Sequence, residues 1–545
     1  MAVEAEMGKN WHKEANMLLE GKDSPWRWCA SSMASPLLLE HVESLLQGGY
    51  HSRVMNRSRI REVLWVELPG LEPIVLKRYF RLGLPRALWN RVRGFQWRKE
   101  WSNSFVLSRM GVLAPKPLLM GEILRNGIPL EGIFVSQAIL GASTLTQELK
   151  LQRTQRTSIL KALGAYLAWI HDMGILHKDL HGDNLLVGKT SEGSPLFWLL
   201  DLHRISTGKP LGEKKRKWNV AQILMSLRKE LTPGEESSLL EAYLENHSAR
   251  DVCSWEESIG MIKQRMLRKR QRSKTRRCLR NNSGFAREMI PGGVVIRKRD
   301  FPLEAVLKAL DEAQETLSPQ DQKVLKISGP TRVFRCGLEL DGKPLAFCIK
   351  EQTLRSPWWR VFGALMPSRA RRFWVGAWGM MARDFYVPEP MAMWEVNKGG
   401  FFSSGVIMEL IQDGVRMDHL VKSVGPQGCK KKQLMKDLAH TLARMHAQGI
   451  FHRDLKATNL MVRTTQEGNR ILFLDLEDVS FGKRVPRAKI VRNLAQLDAS
   501  LPESVRAFSR MKFLRMYMGN QYSRQRFRDL RKEVECLSLQ RKART

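Results

Sequence analysis

HDMGILHKDLHGDNLLV, residues 171–187, returns later in the same chain as HAQGIFHRDLKATNLMV, residues 446–462. Both carry H-x-D-L-x-x-x-N, as His177, Asp179 and Asn184 and again as His452, Asp454 and Asn459. In each copy an apolar run then ends in a further aspartate, Asp201 or Asp475, which lies 22 or 21 positions beyond the first. Upstream, Ile159, Leu163, Tyr166, Leu167 and Ile170 recur at helical spacing, as do Leu434, Leu438, Leu442 and Met445. Each motif is therefore predicted to leave an amphipathic helix that stops at a glycine, Gly174 or Gly449.

Outward from these motifs the duplication covers most of the chain. WNVAQILMSL at 218–227 matches RNLAQLDASL at 492–501. Lys350 lies 273 positions after Lys77, Asp454 275 after Asp179, and Asp475 274 after Asp201. A period that long describes two whole domains, not a solenoid of small units. In each copy strands come first and helices later, which predicts an α+β class twice over. Residues 62–68 with 73–78, and 332–340 with 345–350 around Asp341-Gly342, read as hairpins. A leader without a counterpart is expected over 1–35, a first domain over 36–260, a basic linker over 261–291 and a second domain over 292–545. Within the linker, 263–280 hold ten Lys or Arg and no acidic residue, and turn formers follow from Asn281 to Gly284 and at Pro291-Gly292-Gly293.

Composition narrows the class. Ninety Lys and Arg face 55 Asp and Glu in 545 residues, a net charge of +35, yet 43% of residues are hydrophobic. That content excludes a disordered basic tail and places the charge on a folded surface, where it attracts polyanions. Seven scattered cysteines without a C-x-x-C pair read as reduced thiols, neither a disulfide framework nor a zinc site. The polar start is not a secretory signal, and the longest apolar stretch, around 127–141, is interrupted by Glu131 and Gln137. No nucleic-acid module has a recognisable signature and the 16 tryptophans are dispersed, so no nucleic acid is expected as a partner.

The charged residues form a phosphoryl-transfer set. Asp179 or Asp454 beside an acceptor hydroxyl can take its proton, while Asn184 with Asp201, and Asn459 with Asp475, supply the hard oxygen ligands that magnesium prefers. A lysine sits in each apolar strand, Lys77 in IVLKRY and Lys350 in FCIKEQ, where an ammonium can position nucleotide phosphates. An acid on a nearby helix normally holds that ammonium. Glu100 in QWRKEWSN fits the first copy, but Phe373 aligns with it in the second, so Lys350 is anchored differently or its site is weak. Lys456 and His181 share a loop position where a cation could meet a transferred phosphate. His177 and His452 are expected to bond backbone beside the metal aspartate, and His171 and His446 to cap or pack helix ends.

HKDLHGDN with LLDL, and HRDLKATN with LFLDL, resemble the catalytic loop and metal-binding aspartate of the protein-kinase-like fold. More narrowly, the pattern resembles the bacterial lipopolysaccharide kinases that phosphorylate heptose or Kdo in the inner core. The narrower features are a Trp- and Arg-rich segment before Gly111 to Pro117 (Val387-Pro388-Glu389-Pro390 in the second copy), Asp-Leu in place of Asp-Phe-Gly, and an early end to the activation region. The resemblance implies two tandem bilobal domains, each with a β-rich N-lobe and a helical C-lobe. It implies Asp179 and Asp454 as catalytic bases, Asn184, Asp201, Asn459 and Asp475 as magnesium ligands, and Lys77 and Lys350 contacting ATP phosphates, with Glu100 pairing to Lys77. ATP and Mg2+ are then the cofactors, a lipopolysaccharide core or lipid A precursor the acceptor, and the anionic inner-membrane surface a partner of a cytoplasmic, peripheral protein. The chain departs from the pattern in lacking G-x-G-x-x-G, whose place is taken by Gly48-Gly49 to Arg61 and by 328–332, and in having Lys178 where the second copy has Arg453. Two alternatives stay open: a Ser/Thr protein kinase, suggested by His452 to Lys456, and a pseudokinase scaffold with one or both domains inactive. Against the protein kinase, Asn219 lies only 18 positions after Asp201, and no A-P-E follows either metal aspartate.

Overall fold

A computed structural model describes residues 17–20, 26–46, 52–58, 60–80, 83–151, 154–245, 251–314, 321–340, 343–355, 367–398, 401–423, 429–466, 468–502 and 505–543. The turn read at Asp341-Gly342 and the Gly48-Gly49 pair lie outside these residues. The chain divides into two compact units, Met1–Leu267 and Arg268–Thr545, and the division falls inside the helix Val252–Arg277.

The first unit opens with a seven-stranded antiparallel sheet: Met17–Glu20, Trp26–Ala30, Ser52–Arg57, Arg61–Val66, Ile74–Tyr79, Pro117–Arg125 and Ile128–Gln137. Numbered along the chain, these strands lie in the order 1-2-6-7-5-4-3. The second unit has the same order, from Phe285–Ile290, Gly293–Lys298, Val324–Ser328, Thr331–Leu340, Lys343–Arg355, Pro390–Lys398 and Phe401–Glu409. This corrects the expectation that 1–35 is a leader without a counterpart. Its strands Met17–Glu20 and Trp26–Ala30 fill the places that Phe285–Ile290 and Gly293–Lys298 fill in the second unit. Likewise most of the stretch expected as a linker, 261–291, is helix or sheet. The sequences of these strands share no motif, because a place on a sheet asks only for residues that can be half buried.

Both lysine strands are interior to their sheets and in one register: Val63 lies opposite Lys77 and Val333 opposite Lys350. Alternation along a strand sends Leu76 and Lys77 to opposite faces. Leu76 joins Leu119, Ile133 and Val135 against Leu38 and Val42 of the helix Pro36–Leu46. On the other face, Phe95, Trp97 and Trp101 pack with Tyr79, Met120 and Phe134. Burial of each large aromatic stabilises by roughly 2–3 kcal/mol, so the tryptophans of the helix Gln96–Arg109 seat it on the sheet that carries Lys77. In the second unit Phe373, Trp374, Ala377 and Met380 seat the helix Arg369–Met381 in the same manner.

The helices predicted ahead of the motifs are Arg156–Asp172 and Cys429–Ala447. Each ends at a left-handed glycine, with φ of +78° at Gly174 and +75° at Gly449. A Cβ there would stand 2.0 Å from the Gly208 carbonyl oxygen or 2.3 Å from that of Gly482, so conformation and space both require glycine. The chain then turns straight into the short strand Leu176–His177, or Ile450–His452, and the motif loop. Among the described residues no helix is long and apolar enough to cross a membrane.

Candidate active site

Each motif loop is fixed by a network that sequence reading matched in both copies without assigning it a role. In the first unit the Asn219 amide donates to the His177 carbonyl (2.9 Å), and Gln222, one helical turn on, donates to the Lys178 carbonyl (3.1 Å). His171 backs this up, with Nε2 3.0 Å from Asn219 Oδ1 and Nδ1 2.8 Å from the Tyr243 hydroxyl. His177 Nε2 lies 2.8 Å from the carbonyl oxygen of Leu200, the residue before Asp201, and Leu200 N–H donates to Asn184 (2.9 Å). The second unit repeats every member. Asn493 donates to the His452 carbonyl and Gln496 to Arg453 (2.7 Å), His446 lies 3.2 Å from Asn493 and 2.7 Å from Tyr517, and His452 lies 3.2 Å from the Leu474 carbonyl. Burial pushes His171 and His446 down to about 4 and moves His177 and His452 in the same direction, so all four rings are neutral near pH 7. A neutral ring that donates to a carbonyl is a strut between the motif loop and the strand that runs to Asp201 or Asp475, which is the role expected of His177 and His452.

Lys77, Glu100 and Asp201 meet at the centre of the first unit. Lys77 Nζ lies 3.1 Å from Glu100 Oε2 and 3.0 Å from Asp201 Oδ1. Glu100 also accepts from Leu202 N–H (3.2 Å) and lies 2.8 Å from His203 Nδ1. Arg61, from the hairpin that occupies the place of a glycine-rich loop, grips the Asp201 carboxylate with both Nη atoms at 2.9 and 3.3 Å. Burial alone would raise the Asp201 carboxyl, but the Lys77 and Arg61 charges outweigh it and hold the group well below the usual carboxylate range. By the same balance of burial against opposite charge, Glu100 is lowered and Lys77 raised. Asp201 and Asp475 both adopt the left-handed region, at φ of 51° and 50°. Such strain costs of order 1–3 kcal/mol for a residue other than glycine and gathers at functional sites.

The second unit keeps the lysine–aspartate contact and changes the rest. Lys350 Nζ lies 2.6 Å from Asp475 Oδ1 and 2.7 Å from Glu477 Oε1, while the Phe373 ring centre is 6.0 Å away. Lys350 is thus anchored differently, not left alone. Lys456 Nζ lies 3.0 Å from Asp454 Oδ1, whereas His181 in the matching place has Nδ1 3.9 Å from Asp183 Oδ2. Arg61, His203 and Glu477 are the residues that sequence reading missed. For the last two the signal was present: the residue two places after Asp201 or Asp475 changes from His203 to Glu477 in step with the change from Glu100 to Phe373.

The asparagines fit a hard cation. Asn184 donates from Nδ2 to the Asp179 carbonyl and Asn459 to that of Asp454, each at 2.9 Å, which leaves the amide oxygen as the atom to offer a metal. With Asp201 or Asp475 this makes an oxygen-only pair suited to magnesium. Glu100, Asp201 and His203 also bring ligand atoms within 4.8 Å of one another, but Lys77 lies among them and already answers both carboxylates.

Comparison with known proteins brings in a family model described as the lipopolysaccharide kinase (Kdo/WaaP) family, which matches residues 50–243 and 377–517, more than half of the chain. A 3-deoxy-D-manno-octulosonic acid kinase of Actinobacillus succinogenes is 27% identical over 211 residues, 35% of this chain and 85% of that protein. Another, of Haemophilus influenzae, is 27% identical over 168 residues, 29% of this chain and 66% of that protein. Among solved structures, WaaP in complex with acyl carrier protein is 16% identical with a TM-score of 0.32, covering 43% of this chain and 99% of that one. The Mycobacterium tuberculosis PknI kinase domain is 15% identical with a TM-score of 0.25, covering 39% and 96%.

Proposed function

Because the chain belongs to the lipopolysaccharide kinase (Kdo/WaaP) family, we propose that it transfers the γ-phosphate of ATP to sugar hydroxyls, of heptose or Kdo, in a lipopolysaccharide inner-core precursor. The observation that carries this reading is the Lys77–Glu100–Asp201 cluster beside a strutted H-x-D-L-x-x-x-N loop, rebuilt around Lys350 and Asp475 in the second unit.

In the reaction, Asp179 or Asp454 accepts the proton of the acceptor hydroxyl as the sugar oxygen bonds to phosphorus and the bond to the ADP oxygen breaks. Lys77 and Lys350 orient the donor phosphates, and Lys456 faces the phosphate in transit. Asn184 with Asp201, and Asn459 with Asp475, would hold magnesium, which neutralises charge between the phosphates. The neutral His177 and His452 keep the base and the metal ligands at fixed separation. The Ser/Thr protein kinase reading is disfavoured by the short path out of the site. Only one turn and the strand Ile205–Ser206 separate Asp201 from the run into the helix Glu213–Ser226, which leaves little backbone to dock a peptide. On this reading the protein works at the cytoplasmic face of the inner membrane, where ATP and a lipid-borne acceptor meet.

The purified chain, given ATP, magnesium and core oligosaccharide, should add phosphate that Asp179→Asn and Asp454→Asn each reduce by one event, read by mass spectrometry of the product. Transfer left intact by both substitutions would sink the enzyme reading, and labelling of a protein acceptor with the sugar ignored would favour a protein kinase.

A further inference from the structure

The two units place their acids at different addresses around the same lysine. In the first, the helix supplies Glu100 to Lys77, and the residue two positions after Asp201 is His203, 2.8 Å from Glu100. In the second, the helix position is Phe373, and the residue two positions after Asp475 is Glu477, 2.7 Å from Lys350. Helix residue and loop residue have changed together, acid with imidazole in one unit and phenyl with acid in the other. Each lysine keeps two acids within 3.1 Å. Lys77 and Arg61 face Glu100 and Asp201, while Lys350 and Arg369 face Glu477 and Asp475, with Arg369 Nε 3.7 Å from Glu477.

A site decaying into a scaffold has no reason to keep that balance. With its helix acid simply lost, Lys350 would have only Asp475, and a cation or phosphate arriving there would compete for the contact. Glu477 removes the competition. Its side chain is 11% exposed against 41% for Asp475, so it is the acid shielded from solvent, where a charge pair is much stronger than in water. The loop that carries it is held from behind: Leu476 is buried, and Arg372 of the helix Arg369–Met381 binds Asp478 at 3.1 Å. We propose that Glu477 is the positioning residue of the second unit. It holds Lys350 for the donor phosphates as Glu100 holds Lys77, leaves Asp475 to serve a metal, and makes the second unit a working nucleotide site. The inference rests on the kinase reading above for the nucleotide and not for the sugar.

The test uses the full chain with the first lysine removed by Lys77→Met, so that magnesium-ATP titrated in a calorimeter reports the second unit. One site is expected. Adding Glu477→Gln should weaken ATP about tenfold and raise the KM for ATP more than it lowers kcat. Glu477→Asp, which keeps the charge, should recover most of the affinity and covers the case in which the glutamine variant folds poorly. Unchanged ATP affinity in Glu477→Gln, or no ATP site in the Lys77→Met parent, overturns the proposal. Transfer to core oligosaccharide by the unmutated chain is scored separately: ATP bound through Glu477 with no sugar phosphorylated retires the sugar reading and leaves the role of Glu477 standing.

Discussion

A histidine is a good strut only while it is neutral, and at the scale of the residue that condition makes a prediction. His171 and His446 are held down to about 4 by burial, each locked between an asparagine and a tyrosine. In the unfolded chain the same rings take up protons from about pH 6.5. Between these values the unfolded state binds more protons, so stability falls as pH falls, by about 2 kcal/mol per ring at pH 5. The depressed carboxylates do not blur this window, because Glu100, Asp201 and Asp475 keep their charge until lower pH. Melting curves at pH 7 and pH 5 should show a clear drop for the native chain and a smaller one for His171→Gln with His446→Gln. Equal drops in both would mean that other groups carry the pH dependence.

At the scale of the element, what matters is how closely the helix behind the lysine presses on the loop after Asp201 or Asp475. In the first unit Asn103 donates to the Leu202 carbonyl oxygen at 2.6 Å, and in the second Gly376 takes its place. A Cβ on Gly376 would stand 2.3 Å from the Leu476 carbonyl oxygen, and the obstacle is backbone that cannot rotate away. Gly376→Ala should therefore push helix and loop apart, costing about 1–3 kcal/mol and most of the phosphorylation by the second unit. The first unit should be spared, and a variant with both activities intact would show that the contact is slack. These elements also mark what the sequence made legible. The helices before Gly174 and Gly449 and the two motifs could be read because their signals are local: a helical period, a terminal glycine, invariant charges at fixed spacing. Asn219 and Gln222, matched by Asn493 and Gln496, were visible as a repeat but silent as to role, because their partners are backbone carbonyls some forty residues earlier. The partner of Lys350 left only the paired change of Glu100 to Phe373 and His203 to Glu477 as a trace, because Glu477 belongs to another lobe and only the folded chain brings it to the strand. The first two strands were missed because nothing in their composition marks a place in a sheet.

At the scale of the whole molecule the question is which of the 90 basic side chains remain for a partner. Counting cannot answer it, because many are spent: Lys263 binds Glu236 at 2.7 Å, Arg487 binds Glu533 at 2.8 Å, and Lys77 and Lys350 are paired with acids in their sites. The helix Val252–Arg277 still exposes Arg265, Arg268, Lys269, Arg270, Arg272, Arg276 and Arg277. The helix Leu84–Arg93 sets exposed Arg91 and Arg93 beside Trp89 and Val92, which are 58% and 86% exposed. Basic groups next to an exposed tryptophan suit the interface of an anionic bilayer, where each cation near the surface contributes about 1 kcal/mol. Co-sedimentation with vesicles should therefore require anionic lipid and fall steeply between 0.1 and 1 M salt, as the screening length shrinks from about 10 to about 3 Å. Two substitutions separate the contributions. Replacing Arg268, Lys269, Arg270 and Arg272 with serine should weaken binding and flatten its salt dependence, since both follow from the number of cations at the surface. Trp89→Ser should weaken binding at every salt concentration and leave the slope unchanged, since an apolar contact is not screened. Binding that ignores lipid charge and salt would remove the membrane from the function and return the +35 charge to the phosphates of donor and acceptor alone.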